Sequence, residues 1–216
     1  MPETSAHARL DSALRTLPLI AILRGIKPIE SEAVAAALHA AGFRVIEIPL
    51  NSPDPFDSIA RARRSLPSDV VVGAGTVLRT DDVERLHAAG GELVVMPHAD
   101  RAVIKAAKAA GLACVPGVAT PTEAFAALDA GADALKLFPA ELISPPVLKA
   151  MRAVLPKASQ LFPVGGITPE TMAAYVRAGA NGFGLGSALY TPGASADHVG
   201  ERARRFAAAW RAIATS

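Results

Sequence analysis

The stretch Ala134-Leu135-Lys136-Leu137-Phe138-Pro139 places one lysine among five residues with apolar side chains. The stretch is too short for a stable helix and Pro139 ends it, so we predict a buried β-strand. Lysine is rarely buried, and two interpretations fit Lys136: its ammonium reaches water at a sheet edge, or it lies at the mouth of a pocket. In a pocket, burial and a neighbouring cation would lower its pKa, and a neutral amine is a nucleophile for carbonyl carbon.

Similar apolar strands recur along the chain roughly every 21–26 residues, and helical patterns separate them. The predicted strands cover residues 18–23, 45–48, 70–73, 93–96, 113–115, 134–139, 160–164 and 182–185. Apolar strands that do not alternate with polar residues, separated by helices, indicate a parallel sheet covered on both faces. Eight such units predict an α/β protein with a (β/α)8 TIM barrel; an open doubly wound sheet is the structural alternative. We expect a single domain over residues 1–216, with a lead-in helix over residues 1–16.

The composition limits the classes of protein to which the chain can belong. Apolar residues make up 51% and charged residues 19% of the 216 residues, which indicates a folded domain with a substantial core. The net charge of +2 is scattered and its arginine clusters lack interleaved aromatic residues, so we expect no nucleic-acid partner. No secretory signal or membrane-spanning run is evident. The single cysteine, Cys114, lies in an apolar stretch, which favours a core residue in a cytoplasmic protein.

Polar residues stand at or near the ends of the predicted strands, where a barrel carries its active site. Arg24 ends the first strand, Glu47 lies late in the second, Thr76 follows the third and Lys136 lies in the sixth. Each alone has a structural interpretation, such as an ion pair for Glu47 or a turn cap for Thr76. Together, Lys136 and Glu47 would supply an amine nucleophile and a proton shuttle. Arg24 would bind a carboxylate and help to keep the lysine neutral.

Two glycine-rich turns follow the seventh and eighth predicted strands, and barrels often bind phosphate with the loops at these places. Glycine lets the backbone N–H groups approach an anion closely. We therefore expect a phosphate to be held by Gly165, Gly166, Gly186 and Ser187. No His, Asp or Cys cluster has the spacing of metal ligands and no dinucleotide fingerprint follows a strand, so we expect no metal and no cofactor.

Five motifs in a fixed order carry a resemblance that covers about residues 17–193. They are Leu23-Arg24-Gly25-Ile26, Glu47-Ile48-Pro49-Leu50-Asn51-Ser52-Pro53, Gly73-Ala74-Gly75-Thr76-Val77-Leu78, Lys136-Leu137-Phe138-Pro139 and Val164-Gly165-Gly166. The chain resembles the 2-keto-3-deoxy-6-phosphogluconate and 2-keto-3-deoxy-6-phosphogalactonate aldolases, which are class I aldolases. The resemblance implies that Lys136 is the Schiff-base lysine and Glu47 the acid/base, while Arg24 and Thr76 bind the pyruvate half. It also implies phosphate binding at the glycine turns, a homotrimer, no metal, and pyruvate and glyceraldehyde 3-phosphate as products.

The branch of the family is indicated by two features. The run from Glu47 to Pro53 resembles the phosphogalactonate branch, since the phosphogluconate branch typically has a Thr/Arg-containing run there. Val164 also stands where the phosphogluconate branch commonly has threonine. The resemblance therefore implies cleavage of 2-dehydro-3-deoxy-6-phosphogalactonate, with the phosphogluconate epimer or dual specificity as alternatives. It implies no role for His98.

Two other functions would use the same group of residues. A phosphosugar isomerase or epimerase would use Glu47 as its base and Lys136 only as a charge, and borohydride would not trap it. A non-catalytic binding protein would hold a sugar phosphate without turnover. Fold alone does not separate these functions. The pairing of Lys136 with Glu47 and the resemblance favour the aldolase.

Overall fold

The computed structural model of the protein describes residues 5–215, in which parallel strands alternate with helices. The strands are β1 (Leu19–Ile22), β2 (Val45–Pro49), β3 (Val71–Gly75), β4 (Leu93–Val95), β5 (Ala113–Val115), β6 (Gly117–Val118), β7 (Leu135–Leu137), β8 (Leu161–Pro163) and β9 (Phe183–Leu185). The helices are α1 (Ala6–Thr16), α2 (Pro28–Ala40), α3 (Pro55–Ser65), α4 (Thr80–Ala88), α5 (Arg101–Ala109), α6 (Pro121–Asp129), α7 (Pro145–Val154), α8 (Pro169–Arg177) and α9 (Ala196–Ala214). The predicted α/β alternation is confirmed.

The strands form two parallel sheets. The six-stranded sheet has the order β5-β4-β3-β2-β1-β9 and is a half-barrel, and the three-stranded sheet has the order β6-β7-β8. Two contacts join them: Asp133 N–H, two residues before β7, donates to Cys114 O of β5 over 2.9 Å, and Val164, directly after β8, pairs with Gly184 of β9 in a parallel bridge. Because only Pro116 separates β5 from β6, these two are successive parts of one chain segment.

Residues of β1, β2, β3, β4 and β5 alternate between two buried clusters, which explains why these strands are apolar throughout. Ile20, Val45 and Val71 belong to the inner cluster, where Leu10 and Leu14 of α1 also lie. The next residue of each strand, such as Ile46 after Val45, belongs to the outer cluster under the helices. The inner face is therefore packed with apolar side chains next to α1. The same face continues toward the carboxyl ends of the strands.

The predicted element bounds differ from the structure in a few places. The lead-in helix expected over residues 1–16 is α1, Ala6–Thr16, and residues 1–4 of that prediction lie outside the described residues. The strand predicted over residues 134–139 ends at Leu137, because Pro139 has no N–H to continue the ladder. The extent of a single domain over residues 1–216 stays a prediction. Within the described residues, no helix is long and apolar enough to cross a membrane.

Candidate active site

Lys136 and Glu47 are two buried charged residues on the inner face of the strands. Each follows an inner-cluster residue by two positions, Lys136 after Ala134 and Glu47 after Val45, so the period of a strand turns both side chains inward. Lys136 is 5% exposed and Glu47 is 1% exposed. Glu47 Oε2 has no hydrogen-bond partner, which leaves it able to accept or deliver a proton. Of the two interpretations of Lys136, the structure therefore agrees with the buried lysine and not with one exposed at a sheet edge.

Burial moves the pKa of both groups toward their neutral forms. Burial raises the pKa of Glu47 to about 7, although Lys136 and Arg24 act to lower it. Burial also lowers the pKa of Lys136; Glu47 opposes this change and Arg24 adds to it. A carboxyl group with a pKa near neutrality can both donate and accept protons, and an amine with a lowered pKa can attack a carbonyl carbon. The pair thus has the chemistry of a nucleophile with its acid/base.

Glu47 is held against the backbone of the neighbouring strand. Glu47 pairs with Gly73 in the β2–β3 register, and Gly75 lies two residues further along β3. A Cβ atom on Gly75 would overlap Oε2 and Cδ of Glu47, so the carboxylate keeps its present position only because this residue is glycine. The next residue, Thr76, has a φ of 55°, a left-handed conformation that a β-branched residue rarely adopts. The end of β3 is therefore shaped around the Glu47 side chain.

A cavity of about 600 Å³ opens at the carboxyl ends of the strands. Six of the eight predicted site residues line it: Arg24, Lys136, Gly165, Gly166, Gly186 and Ser187. The other two, Glu47 and Thr76, do not line it, although Glu47 acts electrostatically on both Lys136 and Arg24. His98 is exposed and lies outside the lining. The structure thus brings Arg24 and Lys136 together with the glycine turns in one cavity, but it does not place Thr76, which was expected to bind the pyruvate half, in the lining.

The turn that carries Arg24 is fixed by residues from two other loops. Ser52, which is 8% exposed, accepts a hydrogen bond from Gly25 N–H over 2.9 Å. Gly25 has a φ of 82°, and a Cβ atom on it would lie 2.8 Å from Pro192 Cγ. Ser52 belongs to the motif quoted from Glu47 to Pro53, but its contact with the Arg24 turn was not predicted because the two residues are distant in sequence.

The glycine turns form a further part of the cavity lining. Gly165 and Gly166 have φ values of 116° and 61°, which favour glycine. No atom lies within 4 Å of a Cβ atom placed on Gly186, so the cavity is open there. Glu141, which was not predicted, also lines the cavity, and its carboxylate occupies the place where Gly165 would carry a Cβ atom. This carboxylate makes the wall less favourable to an anion than the glycine turns alone would be.

Phe138 is a further lining residue that was not predicted to have a role. The ring of Phe138 lies beside the amine of Lys136, with 4.7 Å between Nζ and the ring centroid. Its apolar character predicted a core residue, and no local pattern distinguishes a core phenylalanine from one that faces a lysine. Among residues 5–215 the structure shows no group of three or more His, Cys, Asp or Glu side chains placed to hold a metal ion.

The raised pKa of Glu47 predicts a loss of stability as the pH rises. Below pH 4.5 the carboxyl group is protonated in the folded and unfolded states alike, so its burial is tolerated. As the pH rises through about 7, the unfolded chain ionises freely while the folded protein must keep the proton or bury a charge. Relative to Glu47→Gln, the wild-type free energy of unfolding should fall by about 3 kcal/mol over this range. Urea unfolding of both proteins measures the difference, and parallel pH curves would contradict the prediction.

Comparison with known proteins identifies similar sequences and structures. The chain matches the family model described as "Aldolase: KDPG and KHG aldolase" over residues 10–199. A probable 2-dehydro-3-deoxy-6-phosphogalactonate aldolase of Rhizobium meliloti is 52% identical over 196 residues, which cover 91% of this chain and 92% of the relative. A 2-dehydro-3-deoxy-6-phosphogalactonate aldolase of Escherichia coli is 46% identical over 195 residues, which cover 90% of this chain and 95% of the relative. A solved structure described as native KDPGal superimposes with a TM-score of 0.91 at 45% identity, covering 93% of this chain and 97% of that chain.

Proposed function

Because the chain belongs to the KDPG and KHG aldolase family, we propose that this carbon–carbon lyase cleaves 2-dehydro-3-deoxy-6-phosphogalactonate to pyruvate and D-glyceraldehyde 3-phosphate. The observation that carries the proposal is the position of Lys136. Its amine lies in the cavity, its pKa is lowered by burial, and Glu47 and Arg24 act on it. Such an amine suits Schiff-base formation with a ketone.

We propose that the two sheets together form one closed (β/α)8 barrel. The hydrogen bond from Asp133 N–H to Cys114 O and the bridge from Val164 to Gly184 support closure at both junctions. The barrel has eight strands if β5 and β6 count as one. Closure would bring β1, β2 and β7 around one interior, which explains how Arg24, Glu47 and Lys136 interact.

In the proposed first half-reaction, neutral Lys136 Nζ attacks the C2 ketone of the substrate. Glu47 passes a proton to the carbinolamine oxygen, water leaves, and a cationic iminium forms. The electrons of the C3–C4 bond then move into the iminium to give an enamine, while the C4 hydroxyl proton passes to Glu47 through a water molecule. Glyceraldehyde 3-phosphate leaves. Each well-placed proton transfer contributes about 10²–10⁴ in rate.

The second half-reaction releases pyruvate. A proton returns to C3 of the enamine, and water hydrolyses the resulting iminium to pyruvate and free Lys136. Arg24 is the proposed partner of the substrate carboxylate, since a guanidinium pairs with a carboxylate through two parallel hydrogen bonds. Thr76 is proposed to bind the pyruvate half from the end of β3. The four residues proposed to hold the phosphate are Gly165, Gly166, Gly186 and Ser187.

The side chain of Val164 leads to a prediction about which epimer the enzyme prefers. Its side chain lines the cavity, and its Cγ2 lies 2.6 Å from the place where Gly184 would carry a Cβ atom. Valine donates no hydrogen bond, so we expect the phosphogalactonate epimer to be preferred. Val164→Thr should shift the ratio of the kcat/KM values for the two epimers toward the phosphogluconate epimer by about tenfold. Lactate dehydrogenase measures the pyruvate released from each epimer.

The control for this substitution is Val164→Ala, which also lacks a hydroxyl and should leave the epimer preference on the same side. A wild-type preference for the phosphogluconate epimer would contradict the proposed substrate while keeping the aldolase activity. Release of no pyruvate from either epimer would contradict the aldolase. An isomerase or epimerase would instead convert the sugar acid without cleavage, and a binding protein would leave it unchanged.

We also propose a homotrimer in the cytoplasm. Exposed apolar side chains suit contact between copies of the chain, among them Ile29 at 83%, Leu142 at 75% and Val154 at 57% exposure. Cys114 is a buried free thiol, which suits a reducing compartment. Sedimentation equilibrium of the purified protein measures the number of chains.

A further inference from the structure

Phe138 is held in place beside the reacting nitrogen. Its backbone N–H donates to Val118 O over 3.1 Å, so the residue is tied to β6. The Lys136 Nζ atom lies over the ring, 4.7 Å from the centroid. Phe138 is half-buried and Lys136 is 5% exposed, so little water screens the charge from the ring. A cation at this distance from a ring face is attracted by the negative potential of the π system, most strongly where water is excluded.

We propose that Phe138 is a catalytic residue of the aldolase, whose ring face stabilises the cationic iminium formed at Lys136 Nζ. This inference rests on the proposed Schiff-base function. The nitrogen begins as a neutral amine and becomes a cation when water leaves the carbinolamine. The ring attracts the cation much more strongly than the amine. An interaction that grows along the reaction lowers the barrier, whereas one that is equal in both states does not.

The pH determines how much of this stabilisation reaches the reaction rate. The charged groups that act on Lys136 are Glu47 from β2 and Arg24 from the end of β1. The ring favours the lysine ammonium as well as the iminium. At low pH the resting nitrogen and the intermediate are both cations, so the effect of the ring cancels. At high pH only the iminium is a cation, so the full effect appears.

Fluorination separates this role from that of a plain apolar wall. Fluorine atoms withdraw charge from the ring face stepwise but change the shape of the ring little. We would place 4-fluoro-, 3,5-difluoro- and 3,4,5-trifluorophenylalanine at position 138. At alkaline pH, kcat/KM should fall with each fluorine relative to the wild type at the same pH, by about five- to thirtyfold in total. The acid limb of the pH profile should move to lower pH, because a fluorinated ring also attracts the Lys136 ammonium less strongly.

The matched control is the same series at Phe56 on α3, whose ring lies 4.2 Å from the guanidinium carbon of Arg85, outside the cavity lining. That series should leave kcat/KM unchanged. Borohydride trapping of the wild type with pyruvate is measured first. If borohydride traps the Schiff base in the wild type but kcat/KM stays constant within twofold across the Phe138 series, this inference alone is overturned. A folded wild type that forms no adduct would overturn the Schiff-base proposal and this inference with it.

Discussion

Lys136→Met is expected to lose aldol cleavage by on the order of 10⁴-fold or more, as is typical when a catalytic nucleophile is removed. The side chain is buried, so the apolar methionine fills a similar volume without the amine. Without Lys136, one of the two groups that lower the pKa of Glu47 is lost, so the pKa of that carboxyl group should rise further. Pyruvate release measures the activity, and borohydride reduction with pyruvate followed by peptide mass spectrometry measures the Schiff base.

The wild type should carry a reduced pyruvyl adduct on Lys136, and the variant should carry none. Lys149→Met is the matched control, because Lys149 is exposed on α7 and away from the cavity lining. It should keep both the activity and the adduct. If Lys136→Met kept full cleavage, the covalent mechanism would be excluded. If the folded wild type formed no adduct, an isomerase, an epimerase or a binding protein would become the better explanation.

Gly75→Ala is the second substitution expected to have a large effect. The added methyl group would overlap the Glu47 carboxylate, which is 1% exposed, so this buried carboxylate would have to shift. Overpacking of a buried site typically costs about 1–3 kcal/mol of stability. A displaced acid/base typically costs on the order of 10²-fold in rate. Urea unfolding and kcat/KM for cleavage measure the two losses.

The double variant Gly75→Ala/Glu47→Ala identifies the cause of the lost stability. The three atoms nearest to the added methyl group all belong to Glu47, so shortening that side chain removes the overlap. The two substitutions should be non-additive by about 0.5–3 kcal/mol, with the double variant more stable than Gly75→Ala alone, and it should stay inactive. A Gly75→Ala variant as stable and active as the wild type would refute the assigned contact.

The local pattern of the chain predicted which segments are strands and that Lys136 and Glu47 lie within them. A strand has a period of two residues, so each shares a face with the residue two places before it, but the apolar residues on both faces do not show which face is the inner one. The glycine turns could be predicted for a similar reason, since Gly165 and Gly166 have backbone angles that favour glycine. These features depend on neighbours within a few residues, and their signals are present in the sequence.

Contacts between distant residues had no such signal. Ser52 reads as a turn residue, yet its hydroxyl holds the Arg24 turn across a separation of 27 residues. Glu141 is exposed, as expected of a surface carboxylate, yet it also lies against Gly165 in the cavity lining. In both cases the partner is brought close by strand register and loop packing.

The sequence by itself thus determined the α/β alternation, the family and the residues that could react, because periodicity, turn chemistry and motif order are written locally along the chain. Only the tertiary structure decided that Lys136 is shielded from water, that the pKa of Glu47 rises to about 7, and that a ring lies over the reacting nitrogen. The physical reason is that exclusion of water and the distances between charges depend on how the strands pair and what packs around them. A pKa depends on that three-dimensional environment more than on the residue's neighbours in sequence.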